Sequence, residues 1–302
     1  MILSMGEILF DVFPQGRRLG GAPFNFAFHL HRLNGPVRFL SRIGDDAEGR
    51  DILAFLRDQG FPTGDLQVDR DHPTGRVTVT LDAAGSARFD ILTGMAYDAL
   101  ATTPAIERFV ADDCRLIYFG SLIQRTARGA RTAQRILARR SAGTRCLFDV
   151  NLRPGCYTAE ILRDSLQAAE VVKLNEEELA TLAEMNVIGG DTASRVAALQ
   201  ERFAIEMVAL TRGAAGSSLF CGTDRYDAPP PTDIAVRDTV GAGDAFAAAL
   251  AMGVLASWPP ERILARASRL AAAICGIDGA VPSDPAFYDR FRSWKTRGRD
   301  HG

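Results

Sequence analysis

Residues 238–253 read DTVGAGDAFAAALAMG. A short glycine-rich turn here runs straight into the most apolar helical stretch of the chain. Gly241 and Gly243 let backbone N–H groups converge without a Cβ in the way. They stand where a helix begins, so unpaired amide donors and the positive end of the dipole face one point. Such a turn is an anion hole, and Asp244 in the first helical turn reaches whatever the hole holds. A carboxylate beside an anion-stabilising turn supplies what phosphoryl transfer to an alcohol requires: a base for the hydroxyl proton and donors for the migrating charge. A capped, tightly packed helix would use the same residue types, because Asp is common at helix starts. The local pattern leaves both readings open.

Two other phosphate-binding patterns are absent. The chain has no G-x-x-x-x-G-K-[ST], which excludes a P-loop, and no G-x-G-x-x-G between an early strand and a helix, which removes support for a dinucleotide-binding domain. Around the turn, short apolar or β-branched runs alternate with longer helical periods, the signature of an α/β fold with a parallel sheet. The pattern predicts strands over 1–5, 38–43, 116–119, 145–150, 171–174, 207–211 and 217–221. Helices are predicted after Gly20–Gly21 and over 48–59, 128–140, 158–169, 176–185 and 192–203. Residues 75–92, GRVTVTLDAAGSARFDIL, break this rhythm by alternating with period two on both sides of a turn at 82–85, which reads as a β-hairpin. A hairpin inserted in an α/β chain suits a lid or a dimer-forming flap.

Composition narrows the function classes. The 302 residues are 47% hydrophobic and 24% charged, ordinary globular values, with 35 Lys and Arg against 37 Asp and Glu for a net charge of −2. No polyanion-binding surface is indicated. The longest nearly apolar stretch, 245–256, is twelve residues, whereas a membrane-spanning helix needs about 20. It reads as a buried helix. The start, MILSMGEILFDVFP, lacks the basic segment and cleavage site of a targeting peptide and reads as a first strand. Cys114, Cys146, Cys156, Cys221 and Cys275 are odd in number and widely spaced, which suits buried free thiols in a reducing cytoplasm. His29 and His31 lie two apart on a helix, on different faces, and are no metal pair.

DTVGAGDAF resembles the C-terminal signature of the PfkB, or ribokinase-like, family of carbohydrate kinases. GGAPFNFAFHLHRLN at 20–34, followed by SRIGDDAEG at 41–49, resembles the family's N-terminal glycine-glycine and asparagine element, about 220 residues earlier. The similarity runs from Met1 to about Phe291. It implies a ribokinase-like three-layer α/β fold with a mainly parallel central sheet and a small β-sheet lid. The chain would be a single kinase domain over 1–302, with lid segments near 10–20 and 64–95.

The resemblance also implies roles. Asp244 matches the catalytic base, Gly241, Ala242 and Gly243 the anion hole, and Arg153 in DVNLRPG an arginine near the phosphates or the substrate. Asp11, Gly20, Gly21 and Asn25 match sugar-binding positions. Lys173, Asn175 and Glu178 in KLNEEEL match an element at the nucleotide, with Asn175 and Glu178 organising Mg²⁺ and its waters. Asn175 could equally cap a helix whose first turn carries three glutamates. Thr211, Gly213 and Gly216 in TRGAAGS match the nucleotide loop, and Asp238, Val240, Gly279 and Ser283 match loops that hold K⁺ in many members.

The activity implied is ATP-dependent phosphorylation of a small sugar at a primary hydroxyl. GEILFDVFP and GGAPFN are most similar to fructokinases. Ribokinase, adenosine kinase and 2-keto-3-deoxygluconate kinase activities are the alternatives, with a catalytically silent sugar- or nucleotide-binding protein as the reading from another class. The tyrosine-tyrosine-arginine cluster of some acid-sugar kinases is missing from RFDILTGMAYD at 88–98, which disfavours an acid sugar. Phe24, Phe28 and Asn34 depart from the small residues and glycine usual at these positions. Expected partners are the sugar, ATP, Mg²⁺, K⁺ as a candidate, and a second copy of the chain through the lid. No nucleic acid or membrane partner is expected.

Overall fold

Strands buried on both faces should show near-continuous apolar runs, and those runs define the centre of the fold. The computed structural model describes residues 1–81 and 87–294. In chain order the strands are β1 (Ile2–Met5), β2 (Leu9–Phe13), β3 (Gly16–Gly20), β4 (Val37–Gly44), β5 (Leu66–Asp69), β6 (Gly75–Leu81), β7 (Ala87–Ile91), β8 (Leu116–Gly120), β9 (Arg145–Asp149), β10 (Val171–Asn175), β11 (Met207–Thr211), β12 (Ser217–Cys221) and β13 (Asp224–Ala228). The helices are α1 (Ala22–Arg32), α2 (Ala47–Asp58), α3 (Pro104–Asp112), α4 (Ala127–Ala138), α5 (Ala159–Ala168), α6 (Glu176–Met185), α7 (Thr192–Phe203), α8 (Ala242–Leu255) and α9 (Pro260–Cys275).

The main sheet has the order β13-β12-β11-β10-β9-β8-β1-β4-β5. It is parallel from β5 to β11, and β12 and β13 add antiparallel strands at one edge. Because successive side chains on a strand point to opposite faces, β8 sends Leu116 and Tyr118 into one apolar cluster and Ile117 and Phe119 into the other. The first cluster packs α1, α2, α8 and α9, and the second packs α3 to α7. This is the three-layer ribokinase-like architecture. Phe24 and Phe28 lie in the first cluster, fully buried against Phe39, Phe55 and Phe61, so their bulk fills core. Asn34, at φ 60°, takes the left-handed conformation that glycine usually supplies and asparagine tolerates.

A second, four-stranded sheet of order β3-β2-β6-β7 stands apart from the first. β2 runs parallel to β6, and β2–β3 and β6–β7 are antiparallel pairs. Leu66–Asp69, inside the 64–95 segment assigned to the lid, instead pairs with β4 at the edge of the main sheet. The small sheet therefore takes only 9–20 and 75–91, and the loop from β5 crosses between sheets. The turn expected at 82–85 lies outside the described residues. Three of the five cysteines, Cys156, Cys221 and Cys275, are half-buried where burial was expected, and all five are free thiols. No described helix is long and apolar enough to cross a membrane.

The foot of the small sheet rests on a buried ion pair. Arg125 grips Asp98 with Nε and Nη2, each at 2.7 Å, and donates to the carbonyl of Leu92 at 2.6 Å just beyond β7. Its guanidinium also lies 5.1 Å from the ring of Tyr97, against which the start of β6 at Gly75 packs. The two side chains are only 5% and 6% exposed. Removing one partner of such a pair strands the other charge in the protein, at a cost of about 3–5 kcal/mol. Arg125→Met is expected to lower stability in urea denaturation by about that much, and the Asp98→Asn/Arg125→Met double variant to recover part of the loss. Equal losses in both variants would remove the ion pair as the cause.

Candidate active site

Ligands of open α/β sheets collect at the carboxyl ends of the strands, where strand order changes direction. β1 sits at that point, between β4 and β8. The loops and strand ends there deliver Glu7 after β1, Asn151 and Arg153 after β9, Asn175 at the end of β10 and Thr211 at the end of β11 to one cleft of about 430 Å³. The small sheet covers it. Leu9 and Asp11 on β2, Val77 on β6 and Ile91 on β7 line the roof, and the spacing of two along β2 puts both of its side chains on one face.

Two helices point uncapped N-termini at this cleft. α3, α4 and α5 open on Thr103, Thr126 and Thr158, whose hydroxyls each accept a backbone N–H, and Asp46 and Asp191 do the same for α2 and α7. α1 and α8 open instead on Gly21, at φ 109°, and Gly241, at φ 79°, with no side-chain cap. Only glycine suits Gly241, since a Cβ would also lie 2.4 Å from that of Ala280. The Ala242 N–H turns back to Thr239 O at 3.3 Å, and with no side-chain cap the amides that follow it in the first turn keep their hydrogen-bonding capacity for a ligand.

Asp244 stands in that first turn. Its Oδ2 accepts from Asn25 Nδ2 at 2.8 Å, across 219 residues of sequence. Behind it lies a buried chain: Tyr118 donates to Asp149 Oδ2 at 2.9 Å, and Lys173 Nζ donates to Asp149 Oδ1 at 2.9 Å. The Lys173 ammonium lies so close under the turn that a Cβ on Gly243 would be 3.1 Å from it. Burial, with repulsion from Asp149, pushes the Asp244 carboxyl up to about 7, against the pull of Asn25, Lys173 and Arg153. Burial likewise raises Glu7 to about 7 and Asp11 to about 6. Lys173 moves upward: burial alone would depress it, but the carboxylates of Asp149 and Glu178 outweigh that.

Next to the polar cleft lies a largely apolar cavity of about 390 Å³. Gly213 and Gly216 form its edge, with Pro230, Ile234, Phe246 and Ala272 among its walls. Thr211, Thr239 and Gly243 line both cavities, so the start of α8 is their junction. One space suits a polyol and phosphates, the other a flat apolar group.

The structure gathers Asp11, Gly21, Asn25, Arg153, Lys173, Asn175, Glu178, Thr211, Val240, Gly241, Gly243 and Asp244 around the polar cleft. Ala242 and Gly213 lie on the apolar side. Gly20 lines neither cavity: it sits at the end of β3, where a Cβ would come within 2.9 Å of Asp11 Oδ2. Asn175 does cap α6, since its Oδ1 accepts from Glu178 N and Glu178 accepts from Asn175 N, both at 2.8 Å. The other Glu178 oxygen takes Leu152 N–H at 3.0 Å. With those oxygens engaged, and no group of three metal-ligating side chains among the described residues, the donor set suits Mg²⁺ held by phosphates and water. The carboxylate of Asp238 accepts from Val240 N and Gly279 N, both at 3.0 Å, and pairs with Arg18 at 3.1 Å. Both of its oxygens thus face donors, and Ser283 lines neither cavity.

Sequence reading missed Glu7, Tyr118 and Thr239. Glu7 had a signal, as a carboxylate directly after the apolar first strand. Tyr118 had none, because a tyrosine in a buried strand looks like core until its hydroxyl partner is known.

Residues 8–286 match the model of the pfkB family of carbohydrate kinases. A fructokinase of Salmonella typhimurium is 31% identical over 285 residues, covering 90% of this chain and 90% of its own. Fructokinase-1 of Zea mays is 30% identical over 312 residues, covering 94% of each chain. Among solved structures, a sugar kinase of Pyrococcus horikoshii in complex with ATP superposes with a TM-score of 0.78 at 26% identity, covering 93% of this chain and 94% of the other. The chain belongs to the pfkB family of carbohydrate kinases.

Proposed function

We propose that this kinase transfers the γ-phosphate of ATP to a primary hydroxyl of a small neutral sugar, and that the sugar is fructose. The observation that carries the reading is the position of Asp244, where a polar cleft and an apolar cavity meet at the uncapped start of α8. The relatives named fructokinase support the sugar, and the ATP complex of the Pyrococcus horikoshii protein supports the donor. The carboxyl groups of Glu7 and Asp11 line the end that would hold the sugar and disfavour an acid sugar or a sugar phosphate.

In this reading the sugar lies under the small sheet against Asp11 and the turn at Gly21 and Asn25. The base and phosphate of ATP fill the apolar cavity and the junction. Asp244 accepts the hydroxyl proton, and the freed oxygen attacks the γ-phosphorus in line. The backbone N–H groups around Gly241, Ala242 and Gly243, with Lys173 beneath them and Arg153 in the same cleft, hold the charge as it migrates. Asn175 and Glu178 would hold Mg²⁺ through its waters, and the bound ion would supply positive charge to the phosphate oxygens. The small sheet keeps water from the γ-phosphate, which favours transfer over hydrolysis. Free thiols suit a cytoplasmic protein, and β3 and β7, the edge strands of the small sheet, offer a place for a second copy to pair.

A coupled assay of ADP release with Mg-ATP, across fructose, ribose, adenosine, 2-keto-3-deoxygluconate and a no-sugar blank, with and without K⁺, is expected to give strong turnover on fructose. Silence of the folded protein on every sugar would overturn the reading. Asp244→Asn should lower kcat by about 10²- to 10⁴-fold with little change in the KM for ATP.

Two pH effects follow from the raised carboxyl of Asp244. A base must be ionised, so kcat/KM is expected to fall as pH drops through about 7. For stability the sign is opposite. The folded-state value lies above the ordinary 3.8, so the ionised carboxyl costs stability above about pH 7, and the cost fades as pH falls toward 3.8. The cost is at most roughly 4 kcal/mol. Asp244→Asn should therefore raise Tm by a few degrees at pH 8 and by less at pH 5, as read by calorimetry in the absence of ligand.

A further inference from the structure

The carboxylate of Asp238 joins three segments of chain at the edge of the cleft. Its Oδ1 accepts the N–H of Val240 and its Oδ2 the N–H of Gly279, both at 3.0 Å, while Arg18 Nη1 donates to the same Oδ2 at 3.1 Å across 220 residues of sequence. The first bond shapes the turn that leads into Gly241. The second brings in the 279–280 segment, which packs on Gly241 through Ala280. The third comes from the roof. Arg18 stands on β3 directly opposite Asp11 on β2, so both side chains rise from one face of the small sheet, and Asp11 places that face over the cleft. The stem of Arg18 lies along Gly279, where a Cβ would be 3.7 Å from its Cδ. Among the described residues, the other arginines on the strands of this sheet that form ion pairs lead elsewhere: Arg17 and Arg76 both pair with Glu48 on α2, and Arg17 with Asp51 as well.

A hard metal cation is held by oxygen atoms that turn lone pairs toward it. Asp238 turns its lone pairs to two N–H groups and a guanidinium, and Ser283, matched to the same loops, lines neither cavity. The donor set at Asp238 does not fit a metal ion. We propose that the guanidinium of Arg18 is the resident cation of this carboxylate in place of a monovalent metal, and that Arg18 is thereby a positioning residue, holding through Asp238 the turn that opens the anion hole. This rests on the reading of the start of α8 as the phosphate site. A guanidinium stays charged at every working pH and meets a carboxylate through directed N–H bonds. The charge at this point is therefore independent of the ions in the medium, and it is carried by the roof, so the set of the phosphate-binding turn follows the position of the small sheet.

The test compares turnover in KCl and in tetramethylammonium chloride at one ionic strength. The pH is 8, well above the value of about 6 to which burial raises Asp11, so that loss of the Arg18 charge leaves that carboxylate ionised. The unaltered kinase is expected to show the same kcat in both salts within about twofold. Arg18→Ala should lose about tenfold or more in tetramethylammonium, with the sugar KM within about threefold, and regain much of the loss on addition of K⁺ or methylguanidinium. Arg18→Lys keeps the charge and should lose less. In an Asp238→Asn background Arg18→Ala should cost nothing further, because the two residues act as a unit. Activation of the unaltered kinase by K⁺ of about fivefold or more would reveal a working metal site and overturn the proposal. So would an Arg18→Ala variant as active as the unaltered kinase without K⁺, or one whose loss neither the added cations nor lysine restores, the mark of a structural role. The Arg18 side chain is 53% exposed, so these variants leave the core intact. Should no sugar be turned over, the Kd of a non-hydrolysable ATP analogue, read by calorimetry in the two salts, makes the same comparison: it should be alike in both for the unaltered chain and, for Arg18→Ala, weaker in tetramethylammonium than in KCl. Failure of the sugar reading and failure of this proposal are thus told apart.

Discussion

The carboxylate of Asp149 is the constraint on which the site depends. It is fully buried at the end of β9 and bonded on both oxygens, to Tyr118 and to Lys173. An uncompensated charge at such depth would be prohibitive, and the lysine repays it only by staying within hydrogen-bond distance. Lys173 is thereby held with its ammonium under the first turn of α8. The stacking of Tyr118 on Phe26, at 3.7 Å between ring centres, ties the same network to α1. One buried charge thus fixes a cation, two helices and the spacing between them before any ligand arrives. Its repulsion also helps keep the neighbouring Asp244 from ionising too readily.

Three helix starts around the cleft behave differently for reasons of local chemistry. Asn175 and Glu178 close the start of α6 into a reciprocal pair, so the cap amide and the third amide of that helix are already bonded. Gly21 and Gly241 leave α1 and α8 open. A site that moves a negative charge from one oxygen to another gains from donors that need no reorganisation, and two open helix ends provide them. The price is paid in local stability that a threonine cap would otherwise contribute.

Much of this was legible in the sequence where chemistry and periodicity coincide. The strands at Met207–Thr211 and Ser217–Cys221 and the helices at Glu176–Met185 and Thr192–Phe203 fall where the patterns put them, because each is bounded by a cap, a turn glycine or a clear change of period. β5 and β13 were missed: they are short edge strands, partly polar, whose pairing depends on neighbours far along the chain. α9 was missed too, although its apolar face packs closely along α8. Of the site, the residues carried by glycine-rich or asparagine-containing motifs were found. Glu7 and Tyr118 were not, because burial and a distant partner give them their place. Phe24 and Phe28, which depart from the small residues usual at their positions, are core, since a helix adjoining a cleft sends only some of its faces toward it.

The roof and the floor of the cleft belong to different sheets that, among the described residues, share no ladder of backbone hydrogen bonds. Leu9, Asp11, Val77 and Ile91 hang from the small sheet, and the acid, lysine and anion hole stand on the large one and its helices. A side chain can be exchanged above while the machinery below keeps its own strands and helices as support. Such a division lets a lineage change its sugar by a few replacements in the roof while the chemistry is inherited intact, so divergence in this architecture should be concentrated in the strands that close over the ligand.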